Sequence, residues 1–101
     1  MATALSNAQK RYLRGLAHDL RPVLQVGAKG VTPAVLAELG LALEQHELIK
    51  VRIAAGDRDE RDAWIGSLVE GSGASLAGRI GHVAILYRRR AEKPFVILPR
   101  A

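Results

Sequence analysis

Apolar residues recur along the chain at two spacings, one typical of helices and the other of strands. Positions three and four residues apart predict a first helix over about residues 7–18 and a third over 58–70. A second helix should begin at Pro33, capped by Thr32, and its apolar stripe runs to His46. Short apolar runs predict four strands, over 22–26, 48–53, 74–80 and 83–87.

The order of these elements, α-β-α-β-α-β-β, predicts how the strands pair. A helix between two strands usually makes a crossover connection, which leaves the two strands parallel. The last two strands are separated only by Gly81-His82, and so short a link predicts an antiparallel hairpin. We therefore expect one α/β domain over residues 1–101, built of two layers around a four-stranded mixed sheet.

The strand at 48–53 alternates between apolar and charged residues. Ile49, Val51 and Ile53 should point to one face of the sheet, and Lys50 and Arg52 to the other. If the helices cover only one face of the sheet, the two cations lie on the open face.

The first helix has two chemically distinct faces. Its apolar stripe consists of Tyr12, Leu13, Leu16, Ala17 and Leu20. The opposite arc carries Lys10, Arg11, Arg14 and His18. No acid balances these bases, so this arc can contact a polyanion, although a merely solvated charged face would have a similar pattern.

The segment Gly27-Ala28-Lys29-Gly30 lies between the first strand and the start of the second helix. Glycines let the main chain approach a ligand closely, Lys29 supplies positive charge, and the first N–H groups of a helix attract anions. This pattern favours contact with a phosphate backbone. Two glycines three residues apart also occur in ordinary strand-to-helix turns, so the motif alone leaves both interpretations open.

Charge is unevenly distributed along the chain, whose formal net charge is +5. Eight of the ten acidic residues lie between positions 38 and 70, whereas eleven of the fifteen basic residues lie outside that segment. The triplet Arg88, Arg89 and Arg90 directly follows the last strand. If the two ends of the chain meet in the fold, one face is basic and suits a polyanion such as nucleic acid.

Composition argues against several other classes of protein. The chain has no cysteine, which excludes disulfides and thiolate metal sites and is compatible with a reducing compartment. The first residues lack a charged region leading into an apolar stretch, and no apolar run approaches membrane-spanning length. We therefore expect a cytoplasmic protein that makes no membrane contact.

Nothing in the sequence indicates catalysis, a cofactor, a metal or a small-molecule substrate. His18, His46 and His82 are single residues without ligand spacing, and His46 is expected at the edge of the core. A nucleotide-binding P-loop has four residues between its glycines and a lysine after the second, whereas Lys29 precedes Gly30. An interaction of the acidic middle segment with a basic protein remains an alternative function, and it could coexist with nucleic-acid binding.

Only four residues are aromatic. Tyr12 and Trp64 fit apolar stripes of helices, which leaves Tyr87 and Phe95 as candidate platforms for base stacking. Recognition of bases stacked on an aromatic sheet is therefore not expected. Contact with a nucleic-acid backbone through Lys29, the first-helix cations and the arginine triplet is the better interpretation.

Several blocks of the sequence resemble the YhbY-like proteins, which consist of a single CRM domain (chloroplast RNA splicing and ribosome maturation). The resemblance covers about residues 6–100. It is carried by Gln9-Lys10-Arg11-Tyr12-Leu13-Arg14-Gly15-Leu16-Ala17-His18, Pro22-Val23, Gly27-Ala28-Lys29-Gly30-Val31-Thr32, Leu36-Ala37-Glu38, His46-Glu47-Leu48-Ile49-Lys50-Val51-Arg52-Ile53, Ile80-Gly81, Leu86-Tyr87-Arg88 and Leu98-Pro99-Arg100.

This resemblance implies an RNA-binding domain with a four-stranded mixed sheet, similar to the C-terminal domain of a bacterial translation initiation factor. It implies that the GxxG loop, residues 27–30, holds the RNA backbone as the corresponding loop does in KH domains. It also implies a bacterial ribosome-assembly factor bound to ribosomal RNA in large-subunit precursors. The region after the third helix is richer in glycine than the family pattern, so the start of the third strand is not fixed by the comparison.

Overall fold

The computed structural model describes residues 4–94 and 96–99. The elements are α1 Asn7–Ala17, β1 Pro22–Val26, α2 Pro33–His46, β2 Leu48–Ile53, α3 Arg58–Ser72, β3 Ser75–Ile80 and β4 Val83–Tyr87. The predicted order is therefore confirmed. The largest shift of a boundary is at the end of α3, which continues to Ser72 before Gly73 ends it in the left-handed conformation at φ +74°.

Side-chain caps fix where the three helices begin. At α1 the Ser6 hydroxyl accepts from the Gln9 backbone N–H at 3.1 Å, and the Gln9 side chain accepts from the Ser6 N–H at 3.0 Å. At α2 the Thr32 hydroxyl accepts from the Val35 N–H at 3.2 Å. At α3 Asp57 accepts from the Glu60 N–H at 2.8 Å. These local hydrogen bonds explain why the helix starts are readable from sequence.

The four strands form one mixed sheet in the order β1-β2-β4-β3. The first two strands are parallel, and β4 is antiparallel to both β2 and β3. The predicted class, crossover and hairpin are thus confirmed. The central strand β2 has its backbone paired on both sides, whereas β1 and β3 are the edges of the sheet.

Helices cover both faces of the sheet. On one face, α2 and α3 pack through Leu39, Leu43 and Leu68 against the odd-numbered residues of β2. On the other face, α1 packs through Leu13 and Ala17. That second core also contains Leu48, Ala77, Ile85 and Tyr87. The expectation of two layers with one open face is therefore corrected to three layers, and we call the second side the α1 face.

The contact of α1 with the sheet is narrower than its apolar stripe. Only Leu13 and Ala17 are fully buried, whereas Tyr12, Leu16 and Leu20 are at least 40% exposed. The prediction that Tyr12 lies in the core is therefore wrong. An isolated helix lying on a sheet buries the residues directly beneath it, and among the described residues the other two helices pack on the opposite face, so the flank of α1 is uncovered.

Two further predictions about core residues need correction. His46 is exposed at the end of α2 rather than at the edge of the core. Tyr87 is only 5% exposed, because its ring packs into the core beneath α1, so it offers no platform for a base. Phe95, the other candidate platform, lies outside the described residues.

Glu47 is a fully buried acid at the junction of α2 and β2. Its carboxylate accepts from the backbone N–H of Arg90 at 2.8 Å and of Val96 at 2.7 Å. Its own carbonyl accepts from the Arg88 N–H at 2.9 Å. These bonds hold the segment after β4 against the start of β2, where Val96 and Leu98 pack beside the sheet.

Replacing Glu47 with glutamine should destabilise the fold. An amide offers only one oxygen, so the buried N–H of Arg90 or Val96 loses its acceptor, and the free energy of unfolding should fall by about 1–3 kcal/mol. Urea denaturation measures this change. Glu44→Gln is the control, since the Glu44 side chain is 62% exposed and its pair with Arg88 contributes little. Equal stability of the two variants would show that the Glu47 carboxylate does not stabilise the fold.

Burial raises the pKa of Tyr87 above its ordinary value, and the Glu47 carboxylate raises it further, while Arg89 acts in the opposite direction. The unfolded chain therefore loses this proton at a lower pH than the folded protein does. Stability should consequently decrease as the pH rises above the ordinary tyrosine pKa of about 10. Urea denaturation from neutral to alkaline pH tests this, and Tyr87→Phe should flatten the decrease. An equally steep decrease in the variant would assign it to other groups.

Candidate nucleic-acid interface

The GxxG loop forms a tight turn between β1 and α2. The Gly30 N–H donates to the Gly27 carbonyl at 2.9 Å, which closes the turn. Ala28 and Lys29 occupy the two central positions and are exposed, whereas Gly30 is buried. The loop therefore presents the Lys29 side chain to solvent.

The two glycines of the loop meet different surroundings. Gly30 has φ +72°, and a Cβ there would lie 3.2 Å from the Trp64 indole ring of α3. A Cβ on Gly27 would meet nothing within 4 Å. Gly30 is therefore required by the turn and by packing on Trp64, while Gly27 leaves open space beside the main chain. The turn interpretation of the motif therefore applies to Gly30, whereas Gly27 has the open space that a contact with a phosphate backbone requires.

The loop lies at an edge of the fold where three chain segments meet. Val26 pairs with Ile53, and the Ala54 N–H donates to the Val26 carbonyl at 2.9 Å. The Ile53 N–H donates to the His82 carbonyl at 2.7 Å. The GxxG loop, the segment after β2 and the β3–β4 turn are thus neighbours. We call this side of the molecule the loop edge.

The cations of α1 and β2 share the α1 face. The Arg14 side chain crosses β3, where Gly78 leaves room for it, and donates to the Ala77 carbonyl at 3.4 Å. Lys50 reaches under α1 and its Nζ donates to the His18 carbonyl at 3.3 Å. Arg52 is exposed one residue before β2 ends, next to the loop edge. This face also carries Lys10 and Arg11.

The arginine triplet is not brought together with these cations as a unit. Arg88 lies on the α2–α3 side, where it donates to the Ser72 carbonyl at 2.8 Å and to the Gly40 carbonyl at 3.2 Å. It therefore joins the end of α3 to the middle of α2 instead of facing solvent. Arg89 is exposed, while the Arg90 backbone is held by Glu47 and its side chain is half-buried.

The acids that the sequence concentrates in its middle lie mainly on the α2–α3 side. Glu38 and Glu44 are on α2, and α3 carries Asp59, Glu60 and Asp62. Asp62 pairs with Arg79 at 2.5 Å, and Glu60 accepts from the Gly56 N–H at 2.9 Å. The sheet thus separates a basic α1 face from a more acidic opposite side. Across this separation, a polyanion is attracted to one face and repelled from the other.

Sequence analysis missed Arg61 and His82 near the loop edge. The Arg61 guanidinium lies 3.5 Å from Nδ1 of His82, at the turn between β3 and β4. Arg61 belongs to the segment 38–70, in which most of the acidic residues lie, but its side chain is on the side of α3 that reaches this turn. The helical spacing of Arg61 from the inward-facing Ile65 and Trp64 was the available signal.

Metal binding and membrane insertion are two further functions that a folded chain can have. No group of three or more His, Cys, Asp or Glu side chains within 4–94 and 96–99 could hold a metal ion. In the same part of the chain, no helix is long and apolar enough to cross a membrane.

Comparison with known proteins gives concordant matches. The model of the CRS1 / YhbY (CRM) domain matches residues 5–88. A Haemophilus influenzae protein named "RNA-binding protein" is 45% identical over 98 residues, which span 97% of this chain and 98% of that protein. A Bacillus subtilis protein named "Probable RNA-binding protein YqeI" is 37% identical over 95 residues, which span 94% of this chain and 99% of that protein.

A solved structure also has a similar fold. The solution structure of a hypothetical protein from Staphylococcus aureus superimposes with a TM-score of 0.83 at 33% sequence identity. The match covers 95% of this chain and 100% of that one. Its similarity therefore extends over the sheet and all three helices rather than over a single motif.

The two loop glycines should respond differently to alanine. Gly30→Ala forces a Cβ into a left-handed backbone and against the Trp64 ring, and should lower the free energy of unfolding by about 1–3 kcal/mol. Gly27→Ala should change it by less than about 1 kcal/mol, because the Cβ meets open space. Thermal or urea unfolding of the two variants provides the comparison. A larger loss for Gly27→Ala would contradict this division of roles.

Proposed function

The chain belongs to the CRS1/YhbY (CRM) domain family, and we propose that it binds RNA by holding the phosphate backbone between the GxxG loop and the cations of the α1 face. The observation that carries this proposal is the placement of Lys29. Its side chain is exposed at the tip of the loop, open space lies beside Gly27, and Arg52 lies one residue before the end of β2 at the same edge. A phosphate backbone can therefore approach the main chain closely and meet positive charge on both sides.

The mechanism is electrostatic and follows the shape of the backbone. Lysine and arginine contacts to phosphates release condensed counterions, which makes affinity fall steeply with salt. Tyr12 is the one exposed aromatic side chain among the described residues, so stacking of several bases on an aromatic sheet has no counterpart here. Contacts of this kind provide affinity with weak sequence preference. The set of cations offered to the RNA consists of Lys10, Arg11, Arg14, Lys29, Lys50, Arg52 and Arg89.

The proposed ligand is ribosomal RNA in precursors of the large ribosomal subunit, bound in the cytoplasm during assembly. The resemblance of the sequence to YhbY-like proteins supports this choice, and the names of the relatives support RNA as the class of ligand. The protein acts by binding rather than by catalysis. An alternative follows from the acidic α2–α3 side, which has the charge to contact a basic ribosomal protein while the opposite face holds RNA. A different structured small RNA is a further alternative ligand.

Removing the charge of Lys29 should weaken RNA binding without affecting the fold. Each lost phosphate contact lowers the magnitude of the slope of log affinity against log salt by about 0.7–0.9. Titration of Lys29→Ala with a single-stranded oligouridine at several salt concentrations measures both affinity and slope. The fluorescence of Trp64, the single tryptophan of the sequence, reports binding because its ring lies under the loop.

Lys93→Ala is the matched control for this experiment. Lys93 is exposed and carries the same charge as Lys29. It lies in the segment that Glu47 holds against the start of β2, whereas the GxxG loop lies at the other end of that strand. The affinity and slope of Lys93→Ala should equal those of the unchanged protein. If Lys29→Ala also behaves like the unchanged protein, the loop does not contact the backbone. If salt has no effect on any of the three proteins, the electrostatic mechanism is wrong.

The proposed cellular ligand is tested by sedimentation of lysate from growing cells at low and high salt. The protein should migrate with large-subunit particles at low salt and leave them at high salt, because phosphate contacts weaken. Treatment with ribonuclease separates the alternatives, since association through a ribosomal protein alone would survive it. Persistence at the top of the gradient in all conditions would contradict a role in large-subunit assembly.

A further inference from the structure

One row of side chains crosses all four strands on the α1 face, directly beside the loop edge. In the order of the sheet, Ile80 pairs with Val83, Val83 with Arg52, and Arg52 with Gln25. Paired residues on neighbouring strands point to the same face. Leu24, Val26, Ile53 and Ala84, the sequence neighbours of this row, pack in the core on the opposite face. We call the row of Ile80, Val83, Arg52 and Gln25 the open row.

The helix α1 does not cover the open row. It covers the next row along the strands, where Arg14 crosses Gly78, Ile85 is buried and Lys50 reaches the His18 carbonyl. In the open row, Ile80 is 64% exposed, Gln25 and Arg52 are exposed, and Val83 is half-buried. Because Ile80 and Val83 are paired on this face, the uncovered part of the sheet is apolar towards the β3 edge and polar at Arg52 and Gln25.

We propose that the open row binds the base of an unpaired nucleotide in the RNA whose backbone the GxxG loop holds, an inference that rests on the proposed function. Ile80 and Val83 form a small aliphatic surface on which the flat face of a base can pack. Arg52 supplies positive charge in the middle of the row. The Gln25 side-chain amide both donates and accepts hydrogen bonds, as the edge of a base requires.

The position of the open row joins it to the proposed backbone contact. Gln25 is two residues before Gly27, so the amide end of the row adjoins the open space at that glycine. Three strand spacings separate the ends of the row by about 14 Å, which suits one or two nucleotides rather than a long stack. A base inside a duplex is stacked on both faces and cannot lie on this surface. The site therefore selects single-stranded over paired RNA.

The test compares Ile80→Ala with the unchanged protein on two probes, a single-stranded oligouridine and an RNA duplex of the same length. The unchanged protein should prefer the oligouridine. Ile80→Ala should weaken oligouridine binding by at least about fivefold through lost apolar contact, while duplex binding and the salt slope stay unchanged because no charge is removed. Leu41→Ala is the matched control, since Leu41 is 67% exposed on α2, behind the sheet.

Gln25→Ala is a second variant on the other end of the open row, and it should also reduce the preference for the oligouridine. Circular dichroism confirms that both variants are folded, as expected for exposed positions. The proposal is overturned if both variants bind oligouridine as the unchanged protein does, or if they lose affinity for both probes equally. Failure of the unchanged protein to bind either probe would instead overturn the proposed function. A third outcome is that Lys29→Ala weakens oligouridine binding while Ile80→Ala and Gln25→Ala do not. That result would support the backbone contact and overturn only the nucleotide site.

Discussion

The structure depends on a gradient of burial along β2. Its odd-numbered residues Ile49, Val51 and Ile53 are all buried beneath α2 and α3. On the other face, Leu48 is buried, Lys50 is half-buried and Arg52 is exposed. The helix α1 can therefore cover only the first half of this face, because burying Arg52 without a partner would cost several kcal/mol. The uncovered half lies beside the GxxG loop, and the proposed RNA contacts are there.

Charged residues divide into those that hold the fold and those that remain available to a ligand. Glu47 and Arg88 look like surface residues in the sequence, yet both bond to backbone groups of segments distant along the chain. Together they fasten the segment after β4 to the ends of α2 and α3. A buried charge is tolerated when its hydrogen bonds are satisfied, which is the case for the Glu47 carboxylate. Because Arg88 bonds to α2 and α3, it does not contribute to the positive charge of the α1 face.

The proposed interface combines a rigid loop with an adjacent sheet surface. Packing of Gly30 on Trp64 holds the loop in place, and the closed turn points Lys29 outward. Ordering these groups before a ligand arrives lowers the entropic cost of binding. The open row adds apolar and amide chemistry next to this cationic contact. In this proposal, the backbone contacts account for affinity, and the nucleotide site on the open row accounts for selectivity for unpaired RNA.

The sequence by itself determined the element order, the helix starts, the mixed sheet and the GxxG turn, because each follows from short-range hydrogen bonds or from the side-chain period of a strand. Only the tertiary structure decided which surfaces are covered. The placement of α1 on the second face left Tyr12 exposed and buried Tyr87, and bonds to α2 and α3 hold Arg88 apart from the cations of the α1 face. Pairing of Ile80 with Val83 was implied by the two-residue turn, but their row with Arg52 and Gln25 requires the strand order β1-β2-β4-β3. Burial and strand order arise from contacts between residues far apart in the chain, so they cannot be inferred from the local sequence pattern.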